Sequence, residues 1–306
     1  MATTGRSPLP LILLLCFSFF TLIDVLGQRE VPSAPVSLSN VTDQFALLSF
    51  KSLVTKDPYN NSNISLCDWN GVSCSRGSQR VVPLNLSEKA LEATLSPNIN
   101  NLSFLQFLDL TNDSFHGHLP IDFSLLHQLE NLSIGKNNLE RLIPQTLSHC
   151  QGLQILSAQD NQFYGSIPEF IGRTIPVTFA NLSKLDYLNI GQNHTHGNIP
   201  SELGSITCCT LFSEEMNNLT RHLPKDAGCC LPNLQQLYLG ANNFDGPFPP
   251  SFLNATSLQT LTAEDNKFSG PIPLELGSLT QLWRLPFGEI CSPIPLAAMS
   301  LPFSHP

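Results

Sequence analysis

The chain has 306 residues, with 15 Lys and Arg against 24 Asp and Glu, for a formal charge of −9. Charged residues are only 13% of it and apolar residues 42%, which is too hydrophobic for a disordered chain. The acidic balance speaks against a phosphate-tracking partner, because nucleic-acid affinity rests on clustered Lys and Arg, and no nucleic acid is expected.

At the N-terminus Arg6 precedes the uncharged stretch Leu9 to Ile23, which ends near Val25-Leu26-Gly27. The run is shorter than the ~20 residues of a bilayer-spanning helix, and Val25 and Gly27 meet the small-residue rule of a cleavage site. Residues 1–27 therefore read as a secretory signal and 28–41 as a disordered linker. No later segment reads as a span, since Ile294 to Phe303 is broken by Pro295 and Pro302. A secreted, extracellular chain is expected. Once Cys16 is removed with the signal, eight cysteines remain: Cys67, Cys74, Cys150, Cys208, Cys209, Cys229, Cys230 and Cys291. An even number in an oxidising compartment favours disulfides over zinc. Eleven Asn-x-Ser/Thr sequons, from Asn40 to Asn254, fit a glycoprotein.

From residue 81 to 290 the chain repeats. In the pattern Leu-x-x-Leu-x-Leu-x-x-Asn, the last position falls at Asp113, Asn137, Asn161, Asn193, Asn217, Asn242 and Asn266, with spacings of 24, 24, 32, 24, 25 and 24. The Pro of an Ile-Pro-like pair falls at Pro120, Pro144, Pro168, Pro200, Pro224, Pro249 and Pro273, with the same six spacings. Two residue types in one register define a solenoid, in which stacked turns share a core that no single turn could bury. With the flanks at Leu84-Asn85-Leu86 and Leu282 to Phe287, about nine turns are expected. Leu105, Leu108 and Leu110 point inward over a short strand, and the Asn amide at its end is placed to satisfy backbone groups of adjoining turns. Gly117, Gly165, Gly197, Gly246 and Gly270 and the Pro then shape the return path.

The segment Asn161-Gln162-Phe163-Tyr164-Gly165-Ser166-Ile167-Pro168 resembles the signature of the plant extracellular class of leucine-rich repeats. Ahead of the repeats, Thr42 to Lys51 and Cys67-Asp68-Trp69-Asn70-Gly71-Val72-Ser73-Cys74 look like that family's N-terminal cap, over residues 42–80. Ala46, Leu47 and Phe50 would give its helix an apolar stripe to cover the first turn, and Trp69 would plug the open end. The resemblance implies a Cys67–Cys74 disulfide within the cap. It also implies the fold: an α/β leucine-rich-repeat solenoid, curved and right-handed, with parallel strands on the concave face, loops and short 3-10 turns on the convex face, and a helical cap. The resemblance runs from about Thr42 to Phe287 and is strongest to ectodomains of receptor-like serine/threonine kinases of the group that detects bacterial flagellin and elongation factor.

Several positions depart from the pattern. The 32-residue spacing holds two Ile-Pro pairs, Ile167-Pro168 and Ile175-Pro176, as if sixteen residues of one turn were lost; residues 173–180 are expected to bulge while the strands on either side stay neighbours. Glu214 and Cys209 fall at inward positions normally held by Leu, so that turn is expected to be distorted or Glu214 to swing outward. Arg141 and Arg221 stand in place of Gly, and the pairs Cys208-Cys209 and Cys229-Cys230 leave their bridging undecided. Residues 291–306, after the Pro-rich end of the last turn, read as a disordered tail.

Catalytic signatures are missing: no Gly-x-Ser-x-Gly elbow, phosphate loop, His-Glu-x-x-His or kinase motif occurs. His116-Gly117-His118 and His194-Thr195-His196 lie in non-adjacent turns with no third ligand, so neither metal nor cofactor is expected. What remains is the concave face, where outward positions form mixed polar columns suited to an extended peptide or a protein surface. Lys136, Asp160, Tyr187, Gln192, Tyr238 and Glu264 are the candidate contacts, read as outward strand positions, and Asn137, Asn161, Asn193, Asn217, Asn242 and Asn266 the structural ladder. The resemblance implies an extracellular peptide or protein ligand, immune or developmental signalling, and a co-receptor kinase as partner. Full-length relatives sit in the plasma membrane, whereas this chain is expected in the apoplast. The rival readings are a secreted inhibitor of pectin-degrading enzymes and a degenerate product that binds nothing.

Overall fold

The computed structural model describes residues 39–58, 66–167, 182–200, 206–229 and 231–287. The expected signal, the tail, Cys230, Cys291 and the segment 173–180 lie outside them. Eight parallel strands build an inner sheet: Val81–Asn85, Phe107–Asp109, Asn131–Ser133, Ile155–Ser157, Tyr187–Asn189, Leu211–Ser213, Gln236–Tyr238 and Thr260–Thr262. Their central residues are in register, Leu84 with Leu108, Leu108 with Leu132, and so on through Phe212, Leu237 and Leu261. Each of these centres is at most 1% exposed, because one turn's apolar side is covered only by the turns beside it. A parallel bridge from Thr260 to Arg284 adds one more step.

Where loops were expected on the far side, the structure has a second sheet. Short strands such as Ser114–His118, Gln162–Gly165, His194–Gly197 and Asn243–Gly246 pair in parallel just after each ladder position. The 3-10 turns come next, as at Pro97–Asn101, Gln145–His149 and Pro250–Asn254. The strands are only two to five residues long, so the alternation that marks a strand in sequence never develops.

The ladder side chains close each turn. Asn137 accepts a hydrogen bond from Phe115 N–H at 2.9 Å, and its amide donates to the carbonyls of Leu110, Ile134 and Gly135. Asn161, Asn193, Asn217, Asn242 and Asn266 repeat this, accepting from Leu139, Phe163, Thr195, Leu219 and Phe244 in the turn before. Seven turns carry a ladder residue; the nine expected counted the two flanks as well. The first of the seven is Asp113, whose Oδ1 accepts from Lys89 and Leu91 while its buried Oδ2 has no partner among the described residues. A carboxylate has no N–H to offer where Asn donates three times. Burial accordingly pushes the Asp113 carboxyl above its usual range.

Immediately before each ladder residue the chain turns left-handed: Asn112, Lys136, Asp160, Gln192, Met216, Ala241 and Asp265 have φ between 52° and 61°. The second left-handed site follows the outer strand, at Gly117, Gly165, Gly197, Gly246 and Gly270. Arg141 and Arg221 adopt φ of 71° and 69° there, with a Cβ that Gly lacks, so both are strained. Across the 32-residue interval the ladders advance one step only, with Tyr187 beside Ile155 in the inner sheet and Tyr164 beside His194 in the outer.

Both sheets are closed at the N-terminal end by antiparallel strands from the cap, Val54–Lys56 on the outer and Val72–Cys74 on the inner. The cap helix, Ser39–Lys51, buries Ala46, Leu47 and Phe50 at 5% exposure or less. Cys67 and Cys74 form a disulfide, and Trp69 packs half-buried against the core with Lys51 Nζ 5.0 Å from its ring centroid. An interaction that the sequence did not disclose fixes the helix to the first turn. Asp43, fully buried, accepts from Arg80 Nε and Nη2 at 3.0 and 2.8 Å and from Val81 N–H at 2.8 Å.

Glu214 corrects an expectation. It neither swings outward nor distorts its strand: it is 0% exposed, and Leu211–Ser213 pairs in register on both sides. Turning it out would reverse the alternation and expose Phe212. Burial pushes its carboxyl up to about 8, against a partial offset from Thr195. The neutral carboxyl takes one hydrogen bond from Asn217, while Oε1 has no partner among the described residues. Cys209 likewise stays inward, and burial pushes its thiol and that of Cys150 up to about 12. Cys208, Cys209 and Cys229 are unbridged.

Three outcomes follow for the folded chain, each read by denaturant unfolding. Asp43→Ala should lower stability by about 3–5 kcal/mol, since it strands a buried guanidinium. Asp113→Asn should raise it by about 1–2 kcal/mol by restoring the missing donor. A folded-state value near 8 for Glu214 lies above its ordinary 4.5, so the neutral form holds the fold together. That contribution is complete below about pH 4.5 and fades as pH rises through 8, at up to roughly 1.4 kcal/mol per unit. Glu214→Gln should flatten this decline.

Candidate ligand-binding face

Because alternate residues of each inner strand point away from the core, the open face is ruled in columns one strand spacing apart. One column runs Asp109, Ser133, Ser157, Asn189, Ser213, Tyr238, Thr262, and the next Thr111, Gly135, Gln159, Gly191, Glu215, Gly240, Glu264. Hydrogen bonds between residues two apart hold many of these side chains in place. Ser133 Oγ donates to Asn131 Oδ1 and Ser157 Oγ to Gln159 Oε1, both at 2.7 Å, and the Tyr238 hydroxyl donates to Gln236 Oε1 at 3.0 Å. Asp109 and Asn189 accept from the backbone N–H of Thr111 and Gly191. Such a surface is ordered before a ligand arrives, which lowers the entropy lost on binding.

From Gly135 on, the second column alternates glycine with long polar side chains. A Cβ on Gly135 would lie 2.8 Å from the Gln159 amide, so Gln159 leans across the space that Gly135 leaves. Glu264 leans over Gly240 in the same way, its carboxyl carbon 3.2 Å from a Cβ placed there. Burial, and then the charge of Glu264, push Glu215 above the usual carboxylate range, with Arg284 opposing them.

The six candidate contacts do not all sit as expected. Tyr187 and Tyr238 lie within inner strands and are half-buried. Lys136, Asp160 and Gln192 are not strand residues; they occupy the left-handed bend that ends each turn's strand segment, and they project, exposed, in a row along one rim. The positive φ there breaks the two-residue alternation from which their placement was read. Glu264 lies just beyond Thr260–Thr262 and is half-buried. The six stretch over five strand steps, about 24 Å, and converge on no point. Thr262, Ser213 and Glu215 were not singled out in the sequence, although the column pattern places them on this face. Among the described residues no three His, Cys, Asp or Glu side chains gather to hold a metal ion.

Comparison with known proteins places this geometry. A leucine rich repeat N-terminal domain model matches residues 41–75, and a Leucine Rich Repeat model matches 233–255 and 257–279. The LRR receptor-like serine/threonine-protein kinase EFR of Arabidopsis thaliana is 39% identical over 104 residues, which is 32% of this chain and 10% of the kinase. Among solved structures, the Arabidopsis receptor kinase HAESA ectodomain, in complex with an N-terminally extended IDA peptide hormone, superposes with a TM-score of 0.71 at 30% identity. That likeness covers 82% of this chain and 42% of the HAESA chain. HAESA bound to IDA and the co-receptor SERK1 gives 0.68 at 27% identity, over 83% and 42% of the two chains. The chain thus spans about a tenth of the kinase and under half of the ectodomains that it matches. It carries a leucine-rich-repeat N-terminal domain and leucine-rich repeats, and its relatives are leucine-rich-repeat receptor-like kinases of Arabidopsis.

Proposed function

We propose that this chain is an extracellular ligand-recognition module, which binds an extended peptide or a peptide-like segment of a protein along the inner face and performs no catalysis itself. The observation that carries this is the pre-ordered polar face on a scaffold similar to the HAESA ectodomain, which was solved with a peptide hormone. A strip of about 24 Å accommodates roughly seven residues of extended chain at ~3.3 Å each. It offers many modest contacts and no convergent acid, base or nucleophile, which suits recognition rather than chemistry. Among the described residues no helix is long and apolar enough to cross a membrane. By analogy with HAESA and SERK1, a co-receptor kinase is the partner proposed for the ligand-bound module, in immune or developmental signalling.

The purified secreted chain, screened against plant peptides, microbial peptides and pectin-degrading enzymes, should retain a peptide. Replacing Lys136, Asp160, Tyr187, Gln192, Tyr238 and Glu264 by Ala should weaken that binding at least tenfold without unfolding the chain, as circular dichroism would show. Binding that survives all six changes removes the inner face as the site. Retention of a pectin-degrading enzyme instead would establish the inhibitor reading.

A further inference from the structure

Two of the Asn-x-Ser/Thr sequons on described residues sit in opposite environments. Asn193-His194-Thr195 is closed: Asn193 and Thr195 are buried, and Asn193 Nδ2, the atom to which a sugar would attach, donates to the carbonyls of Ala158, Ile190 and Gly191 at 3.1, 2.9 and 3.0 Å. A glycan there would take a donor hydrogen from the ladder and drive a ring into the core. Asn131-Leu132-Ser133 is open. Asn131 begins the inner strand Asn131–Ser133, is half-buried, and accepts from Ser133 Oγ through its Oδ1. Its Nδ2 has no hydrogen-bond partner among the described residues and is not buried, so the acceptor nitrogen faces solvent.

The strand beside it supplies a surface for a sugar. Phe107 is the in-register neighbour of Asn131 in the parallel inner sheet, one strand spacing of about 4.8 Å away on the same face. It is 43% exposed, and among the described residues no ring or cation covers it, whereas Phe104 lies under the Arg80 guanidinium, 4.5 Å from the ring centroid. A bare aromatic ring on a face otherwise ordered by polar pairs serves no contact within the fold. Glu130, next to Asn131 in the chain, borders an open hollow of about 590 Å³ lined also by Gln106, Gln151 and Lys184, so the rim there is uncrowded.

We propose that Asn131 carries an N-linked glycan whose first sugar packs on the Phe107 ring, while the Asn193 sequon stays bare. This rests on the extracellular reading of the chain and assigns a modification within it. The donor is a lipid-diphosphate-linked oligosaccharide of the secretory compartment. A bond forms between Asn131 Nδ2 and the anomeric carbon, the anomeric C–O bond breaks, the lipid diphosphate leaves with the electron pair, and Nδ2 gives up one proton. A pyranose presents C–H groups on its faces and hydroxyls at its edge, so one face buries apolar area on the phenyl ring while the edge stays hydrated. The glycan then stands in the turn of Lys136, the first of the six candidate contacts, which projects from the far end of the same strand segment. It sets the N-terminal limit of the ligand strip.

The test expresses the full chain in a secreting eukaryotic cell and releases its glycans enzymatically in heavy-oxygen water, which turns each occupied Asn into labelled Asp for mass-spectrometric mapping. Asn131 should be labelled and Asn193 unlabelled in the secreted, folded chain. Thermal unfolding of the glycosylated chain and its variants then reads the contact. Asn131→Gln should lower the midpoint by about 2–4 °C more with Phe107 present than in the Phe107→Ala background. The lost Ser133 hydrogen bond is common to both arms and cancels. An unlabelled Asn131 beside labelled sequons elsewhere, or label at Asn193, would overturn the site and leave the extracellular reading standing. Equal losses in the two backgrounds would overturn the packing on Phe107. A chain without label at any sequon would overturn the site and the extracellular reading together.

Discussion

Everything in this fold depends on how each turn satisfies the backbone at its inner bend. A chain that leaves a strand and doubles back into a core exposes carbonyls and N–H groups to a medium with no water, and each one left unpaired is penalised by about 1–3 kcal/mol. One Asn per turn meets the demand: its carbonyl takes the N–H of the preceding turn, and its amide donates to carbonyls of two turns. The period, the left-handed residue ahead of the Asn and the inner strand register all follow from placing that amide at the same height in each turn. Asp113 shows the constraint by violating it, since one of its buried oxygens has no hydrogen-bond partner among the described residues.

A ladder that carries the fold from inside leaves the opposite face free of structural duty. The column residues can vary without disturbing the core, and in this chain they range from Ser133 to Tyr238 to Glu264. Where the sequence strays inside the ladder the structure absorbs it at a price: Glu214 stays buried and neutral, and Arg141 and Arg221 hold a backbone shape meant for glycine. Neither departure breaks a strand pairing. The inner sheet continues through both, and across the 32-residue interval, as an unbroken surface against which an extended ligand is able to lie.

The features legible in the sequence were those that recur. Two residue types in one register showed the solenoid, the ladder and the faces, and the cap cysteines stood out once the family resemblance was in view. Features that occur once, or that join distant residues, were hidden. Asp43 and Arg80 are 37 residues apart and neither belongs to the repeat, so nothing in the sequence paired them. Glu214 was misjudged because the rule against burying a carboxylate assumes that it stays charged. Lys136, Asp160 and Gln192 were placed in strands because alternation was extended past the point where φ changes sign.

Backbone hydrogen exchange of the native chain tests the ladder most directly. The N–H groups of Phe115, Leu139, Phe163, Thr195, Leu219 and Phe244, each given to a ladder side chain of the next turn, should be among the slowest to exchange and should open only with global unfolding. Alanine at the inner-face positions should leave those rates unchanged, while Asn193→Ala should speed exchange at Phe163 and the turns beside it. Exchange at these six sites as fast as in the exposed turns, or a response to inner-face changes as large as to Asn193→Ala, would contradict the account.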